Sequence, residues 1–254
     1  MVKAFEATPL FDAHSTFIRL PMGSAMLDDY PDSRKFIDNT ASKIPGANQD
    51  FYFTQSFLKS YSRKSEATYR GYRNEVERLL LWSWTVAQKS VISLKRPDLE
   101  LYFDFVHSPP AYWVAMSVAD RFKRIGGVAL QNENWRPFVV KIAKQDRKSA
   151  LDKGIAIPNS THGHSLSHEA MKICYSALSC FYDYLTDEGY AFGNPIPAIR
   201  KQSPFLIKGA TSKTIKRLSD LQWDYVLDCA KVAADEDSGL SLIHISEPTR
   251  PTLI

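Results

Sequence analysis

Three groups of side chains in this 254-residue chain have the types and spacing to hold a charged ligand or a metal. The densest is the stretch RKQSPFLIKGATSKTIKR, where Arg200, Lys201, Lys208, Lys213, Lys216 and Arg217 occur without one acidic residue. A run of one charge sign repels itself, stays extended and attracts a polyanion, and the regularly spaced phosphates of a nucleic acid suit such a strap. The second group is the HxHxxxH cluster of His162, His164 and His168. No cysteine or carboxylate stands in ligand register beside it, so a polar loop entering a helix describes it better than a zinc site, and no cofactor is expected. The third is Cys174, Cys180 and Cys229, too few and too scattered for a disulfide framework and without a CxxC pair. They point to a reducing, cytoplasmic setting. The N-terminus lacks a basic-then-apolar signal pattern, and no apolar run approaches the roughly 20 residues of a membrane helix, so no membrane partner is expected. The net charge of +4 permits a polyanionic partner without demanding one.

These groups need a scaffold, and the apolar periodicity predicts an all-α one. Residues 1–46, rich in Pro, Asp, Ser and Gly, read as an irregular N-terminal arm. From residue 47 onward Phe51, Phe53, Phe57, Leu58 and Tyr61 recur at near-helical spacing up to Ser62. A second helix opens at Ser65, with Glu66 and Thr68 as further capping groups and a stripe of Tyr69, Tyr72, Val76, Leu79, Leu80 and Val86. Pro97 starts a short third helix carrying Leu99, Tyr102, Phe103 and Val106, which Pro109 and Pro110 end. A long helix follows over Ser167 to Asp187, with Ala170, Ile173, Cys174, Ala177, Leu178, Phe181, Tyr184 and Leu185 on its apolar face and Gly189 as its stop. Residues 109–164 read as a helical insertion with a second basic patch at Lys141, Lys144, Arg147 and Lys148. Residues 200–217 form a basic inter-domain linker, and 218–239 open another domain with Leu221, Tyr225, Val226, Cys229 and Val232 on one side.

Two passages carry a resemblance. SEATYRGYRNEVERLLLWSW, with Thr68, Tyr72, Val76, Leu79 and Trp82, resembles the second helix of the core-binding domain of tyrosine site-specific recombinases, the phage integrase family. ALSCFYDYLTDEGYAFGNPIPAIRK is similar to the last helix and exit of that domain, through Ala177, Leu178, Phe181, Tyr184, Leu185, Gly189, Asn194 and Pro195. Their order, followed by the basic linker and a helix in the place of the catalytic domain's first, makes the pair more specific than either alone. The resemblance covers about residues 47–235 apart from 109–164. It implies a SAM-like helical bundle at 47–199 that grips double-stranded DNA, in a parent that self-associates on DNA and integrates or excises a mobile element through a phosphotyrosyl intermediate.

Within that resemblance, the starts of the second and last helices present amides and side chains to phosphates and groove edges. They nominate Lys64, Thr68, Arg70 and Arg73, and Ser165, Ser167, His168, Lys172 and Tyr175, beside the linker cations Arg200, Lys201, Lys208, Lys213, Lys216 and Arg217. The family's catalytic arginines, lysine, histidines and tyrosine have no counterpart after Asp235, so no catalytic residue is assigned and the chain is expected to be inactive. The tail from Leu240 to Arg250, LSLIHISEPTR, matches codon for codon the frame translation of a transposase-based sequencing adapter, and residues 240–254 are expected to be an artefact rather than part of the fold. Two other readings stay open: a stand-alone helical DNA-binding regulator, and a helical protein-interaction module.

Overall fold

The structure, a computed structural model, describes residues 8–140, 165–206 and 220–236. The chain divides into two compact units, 1–207 and 208–254. The first is mostly helical. Its helices are α1 (His14–Phe17), α2 (Pro31–Ala41), α3 (Ala47–Ser62), α4 (Glu66–Trp82), α5 (Arg96–His107), α6 (His168–Asp187) and α7 (Ile196–Gln202). In the second unit, α8 spans Asp220–Glu236. Among the described residues no helix is long and apolar enough to cross a membrane.

Local chemistry sets the helix ends. Ser65 caps α4 by accepting from the Thr68 amide at 3.1 Å, and Ser167 caps α6 by accepting from the Ala170 amide at 3.3 Å. Gly189, at φ +70°, takes the left-handed conformation that stops α6 and lets the amides of Tyr190 and Ala191 reach the Leu185 carbonyl. The helix α4 runs on into one π-turn, Ser83–Ala87, which Gln88 closes at φ 54°.

Phe57 joins the three long helices. Its ring centroid lies 4.7 Å from Tyr61 of its own helix, 5.4 Å from Tyr72 of α4, and 5.2 and 5.5 Å from Phe181 and Tyr184 of α6. Clusters at such spacings gain from ring geometry as well as burial. The helix α5 docks through Phe103, stacked 3.8 Å from Tyr175 of α6, and Tyr102, 5.3 Å from Trp82 of α4. In α8 the expected stripe is not covered, since Tyr225, Val226, Cys229 and Val232 are all exposed among the described residues, while in the first unit the stripes hold with two departures. Val86 is 48% and Ile173 59% exposed, because neither faces a neighbouring element as its period suggests.

Residues 8–46 are not an arm apart from the bundle. Leu10, Phe11, Phe17, Met26 and Tyr30 are buried in the common core. Lys59 of α3 donates to the carbonyls of Phe17, Ile18 and Leu20 at 2.8, 3.0 and 2.6 Å, and burial lowers the pKa of its ammonium. The expected helical insertion is likewise corrected over its described part, which forms strands. A hairpin of β2 (Phe122–Ile125) and β3 (Val128–Gln131) is antiparallel, and β1 (Val114–Ala115) pairs in parallel with β4 (Phe138–Val139). Between Ile125 and Val128 the turn is Gly126-Gly127, with φ of 59° and 89°, the two left-handed residues that a tight hairpin needs. Arg200 and Lys201 belong to α7 rather than to a linker, and α7 packs against α6 in the first unit. Residues 207–219 and 237–254, with the rest of the linker and the tail, lie outside the described residues, as do Lys141, Lys144, Arg147 and Lys148.

Two buried carboxylates stitch these pieces together. Glu77 of α4, 1% exposed, accepts from the amides of Leu10 and Phe11 and pairs with Arg121, whose guanidinium also reaches Asn74 and covers the Trp135 ring. Beside it, Asp12 accepts from Tyr30 and Arg124 at 2.6 Å each, while its carbonyl takes hydrogen bonds from Tyr69 and Arg73. Asp50 of α3 is the second anchor. It accepts from Trp84 Nε1, Ser90 Oγ, the Val91 amide and Tyr190 Oη at 2.7–3.1 Å, so it binds α3 to the turn after α4 and to the exit from α6.

Removing one partner of a buried charge pair costs about 3–5 kcal/mol. Glu77→Ala is therefore expected to lose about that much in urea unfolding, and Glu77→Gln less, since its amide oxygen still receives the two backbone N–H groups. For Asp50, desolvation outweighs its four donors and raises the carboxyl above its usual 3.8. The folded chain then holds this proton to a higher pH than the unfolded chain. Its stabilising effect is full below pH 3.8 and declines as pH rises through the raised folded value. Thermal melts against pH should show this decline in the wild type and not in Asp50→Asn, whose NH2 can face the two hydroxyls while its oxygen faces Trp84 and Val91.

Candidate nucleic-acid interface

The N-terminal halves of α4 and α6 lie side by side, and α7 packs across α6. An open groove runs between them. Ala67, Thr68, Gly71 and Tyr72 form the α4 wall, Lys172, Ile173 and Ser176 stand on α6, and Arg200 comes from α7. Three of the nominated residues, Thr68, Lys172 and Arg200, thus meet at one feature although they are far apart in sequence. The α4 wall follows from helix geometry: positions 68 and 72 share a face four residues apart, while 69, 73 and 77 turn toward the buried carboxylates. The Lys172 ammonium lies 3.0 Å from Glu169, an exposed pair on successive turns. Arg200 is exposed and makes no ion pair among the described residues. Among the described residues the groove thus carries two cations and the carboxylate of Glu169, with a floor of small groups.

The other nominees separate into exposed and structural residues. Lys64 is exposed and lies over the Tyr61 ring at 4.7 Å, and Arg70 and Lys201 are exposed outside the groove wall. Ser165 lies 3.2 Å from His107 Nε2, and Ser167 is the exposed cap of α6. Arg73 is corrected to a core position. It is 8% exposed, donates to the Asp12 carbonyl at 2.8 Å, and burial next to Arg121 lowers its pKa to about 10. Tyr175 is corrected too. At 1% exposure it stacks on Phe103 and its Oη donates to Ser203 Oγ at 2.9 Å, with its phenol pushed up to about 12 by burial. His168 is half-buried, and its Nδ1 donates to the Phe205 carbonyl at 2.8 Å. That hydrogen bond spends the ring on tying α6 to the segment after α7. His162, His164, Lys208, Lys213, Lys216 and Arg217 lie outside the described residues. Among the described residues no group of three His, Cys, Asp or Glu side chains is placed to hold a metal ion.

Reading the sequence missed the residues that hold this site in place: Asp12, Asp50, Glu77, Arg121 and Arg124. Asp50 and Glu77 do carry a faint signal, a charged residue at a core-facing position of an amphipathic helix. Arg121 and Arg124 carry none, because their partners are more than 40 residues away.

Comparison with known proteins returns no match to a family model, to a curated protein or to a solved structure. The site must therefore be argued from its geometry and charge.

The division into surface and core nominees has a direct check. Lys172→Ala and Arg200→Ala are expected to leave stability within about 0.5 kcal/mol, as exposed substitutions do. Tyr175→Phe should cost about 1 kcal/mol through its hydrogen bond and leave duplex affinity unchanged. Loss of affinity at unchanged stability in Tyr175→Phe would return that residue to the surface that binds.

Proposed function

We propose that this chain is the DNA-gripping, core-binding portion of a tyrosine site-specific recombinase, with a SAM-like bundle built on α3, α4, α5 and α6. The observation that carries the reading is the convergence of Thr68, Lys172 and Arg200 on one groove at the paired helix starts. Support also comes from the order of elements. α4 and α6 lie over the two resembling passages with the short α5 between them, the exit follows at Asn194-Pro195, and α8 begins where the resemblance puts the catalytic domain's first helix.

Duplex DNA is the partner that this surface suits. Its phosphates recur every few ångströms along a rigid rod, and exposed cations on adjacent helices neutralise them with release of counterions. Lys172 exchanges its carboxylate partner for a phosphate at little cost, since both are solvated oxygen anions. Thr68, Ser65 and Ser167 add neutral hydrogen-bonding groups near helix N-termini, where the backbone dipole favours an anion. In the parent reaction this surface would position the duplex for strand cleavage through a phosphotyrosyl link.

The test is a fluorescence-anisotropy titration of a random-sequence duplex at several salt concentrations. If Lys64, Lys172, Arg200 and Lys201 each neutralise one phosphate, log K falls with log salt at a slope of roughly −3 to −4, steeper still if the cations of residues 207–219 take part. The Lys172→Ala/Arg200→Ala double variant should lose close to two units of that slope. No retardation of DNA at low salt, or a slope that the double substitution leaves unchanged, would overturn the reading and favour a protein-interaction module.

A further inference from the structure

Ile173 is where the period of α6 and its packing part company. The apolar stripe assigns it to the core, yet it stands 59% exposed in the wall of the groove, one residue after Lys172 and beside Arg200. The groups around it are small. Across the groove lie Ala67 and Gly71, one turn along its own helix are Ser176 and Ala177, and a Cβ placed on Gly71 would meet nothing within 4 Å. A branched aliphatic side chain with open room before it and cations at its flanks gains nothing from a phosphate. It gains from an apolar group presented amid negative charge, and the major-groove edge of duplex DNA offers one such group, the 5-methyl of thymine.

We infer that the groove reads thymine, with Ile173 contacting the 5-methyl while Lys172 and Arg200 hold neighbouring phosphates. This rests on the duplex-DNA reading above and adds to it the base that the surface selects. Lysine and arginine on phosphates set affinity without choosing a sequence, so preference must come from a group that meets a base edge. Ile173 is the exposed apolar residue placed to do so.

Two probes isolate the methyl group: alternating poly(dA-dT) and alternating poly(dA-dU) duplexes of equal length, which differ only at the pyrimidine 5-position. The wild type should bind the thymine polymer about four-fold more tightly for each methyl contacted, which is what burying a group of that size is worth. Ile173→Ala should bind both polymers alike with its salt slope unchanged. Gly71→Leu, which fills the groove from the other wall, should also abolish the preference. Leu101→Ala, an equally exposed aliphatic on α5, should keep it. Equal binding of the two polymers by the wild type, with a steep salt slope, overturns the inference and leaves the DNA reading standing. Binding to neither polymer overturns both. A preference that survives in Ile173→Ala, or a change in self-association by sedimentation in place of a change in preference, assigns Ile173 to another role and ends the proposal.

Discussion

The position of α4 depends on charge buried beneath it. Glu77 and Asp12 lie in the core against Arg121, Arg124 and Arg73, and each oxygen that faces the interior finds a donor. A buried ion network of this kind adds little net stability over an apolar core of equal volume, since desolvation cancels most of its Coulombic gain. Its effect is on arrangement. This placement of the N-terminal segment, the β2–β3 hairpin and α4 gives both carboxylates their donors, and a slip along the helix would strand a charge. One flank of α4 is thereby fixed, which leaves Thr68 and Tyr72 on the other flank facing α6.

The second constraint acts at the far end of the same helices. Asp50 draws together α3, the π-turn after α4 and Tyr190 beyond α6, so the long helices cannot splay without breaking hydrogen bonds to a buried carboxyl. Phe57 fills the space between them. The backbone that carries Ala67, Thr68, Gly71, Tyr72, Lys172 and Ile173 along the groove is thereby fixed from below.

Much of this was legible in the sequence, and the limits have physical causes. The helices at 47–62, 66–82, 96–107 and 168–187 announce themselves because each buries a stripe at the 3.6-residue period, and two of them open on a serine cap, Ser65 and Ser167. Residues 8–46 read as irregular because their burial is tertiary. Leu10, Phe11 and Phe17 are held by Glu77 and Lys59 from distant helices, and no local period records that. The hairpin was misread although Gly126-Gly127 between Ile125 and Val128 is a turn signal in its own right. Strands of four residues are too short for alternation to compete with a helical reading. At the site, exposed polar residues at helix starts were found by position alone, and the same rule swept in Arg73 and Tyr175. Each sits about two turns into its helix on the inward face, and which face is inward depends on Asp12 and Phe103.

Function here is an electrostatic and steric argument about one groove, with the resemblance to tyrosine recombinases supplying its context. The groove is modest in charge, two cations and one carboxylate among the described residues, so affinity from this element alone should be moderate.

The most direct measurement is an amide-resolved NMR titration of the chain with a short duplex at low salt. The account predicts that the perturbed amides cluster at 64–72, 165–176 and 200–201, with the β2–β3 hairpin and α2 unmoved. Perturbations centred on that hairpin, scattered over opposite faces, or absent at saturating duplex would contradict it.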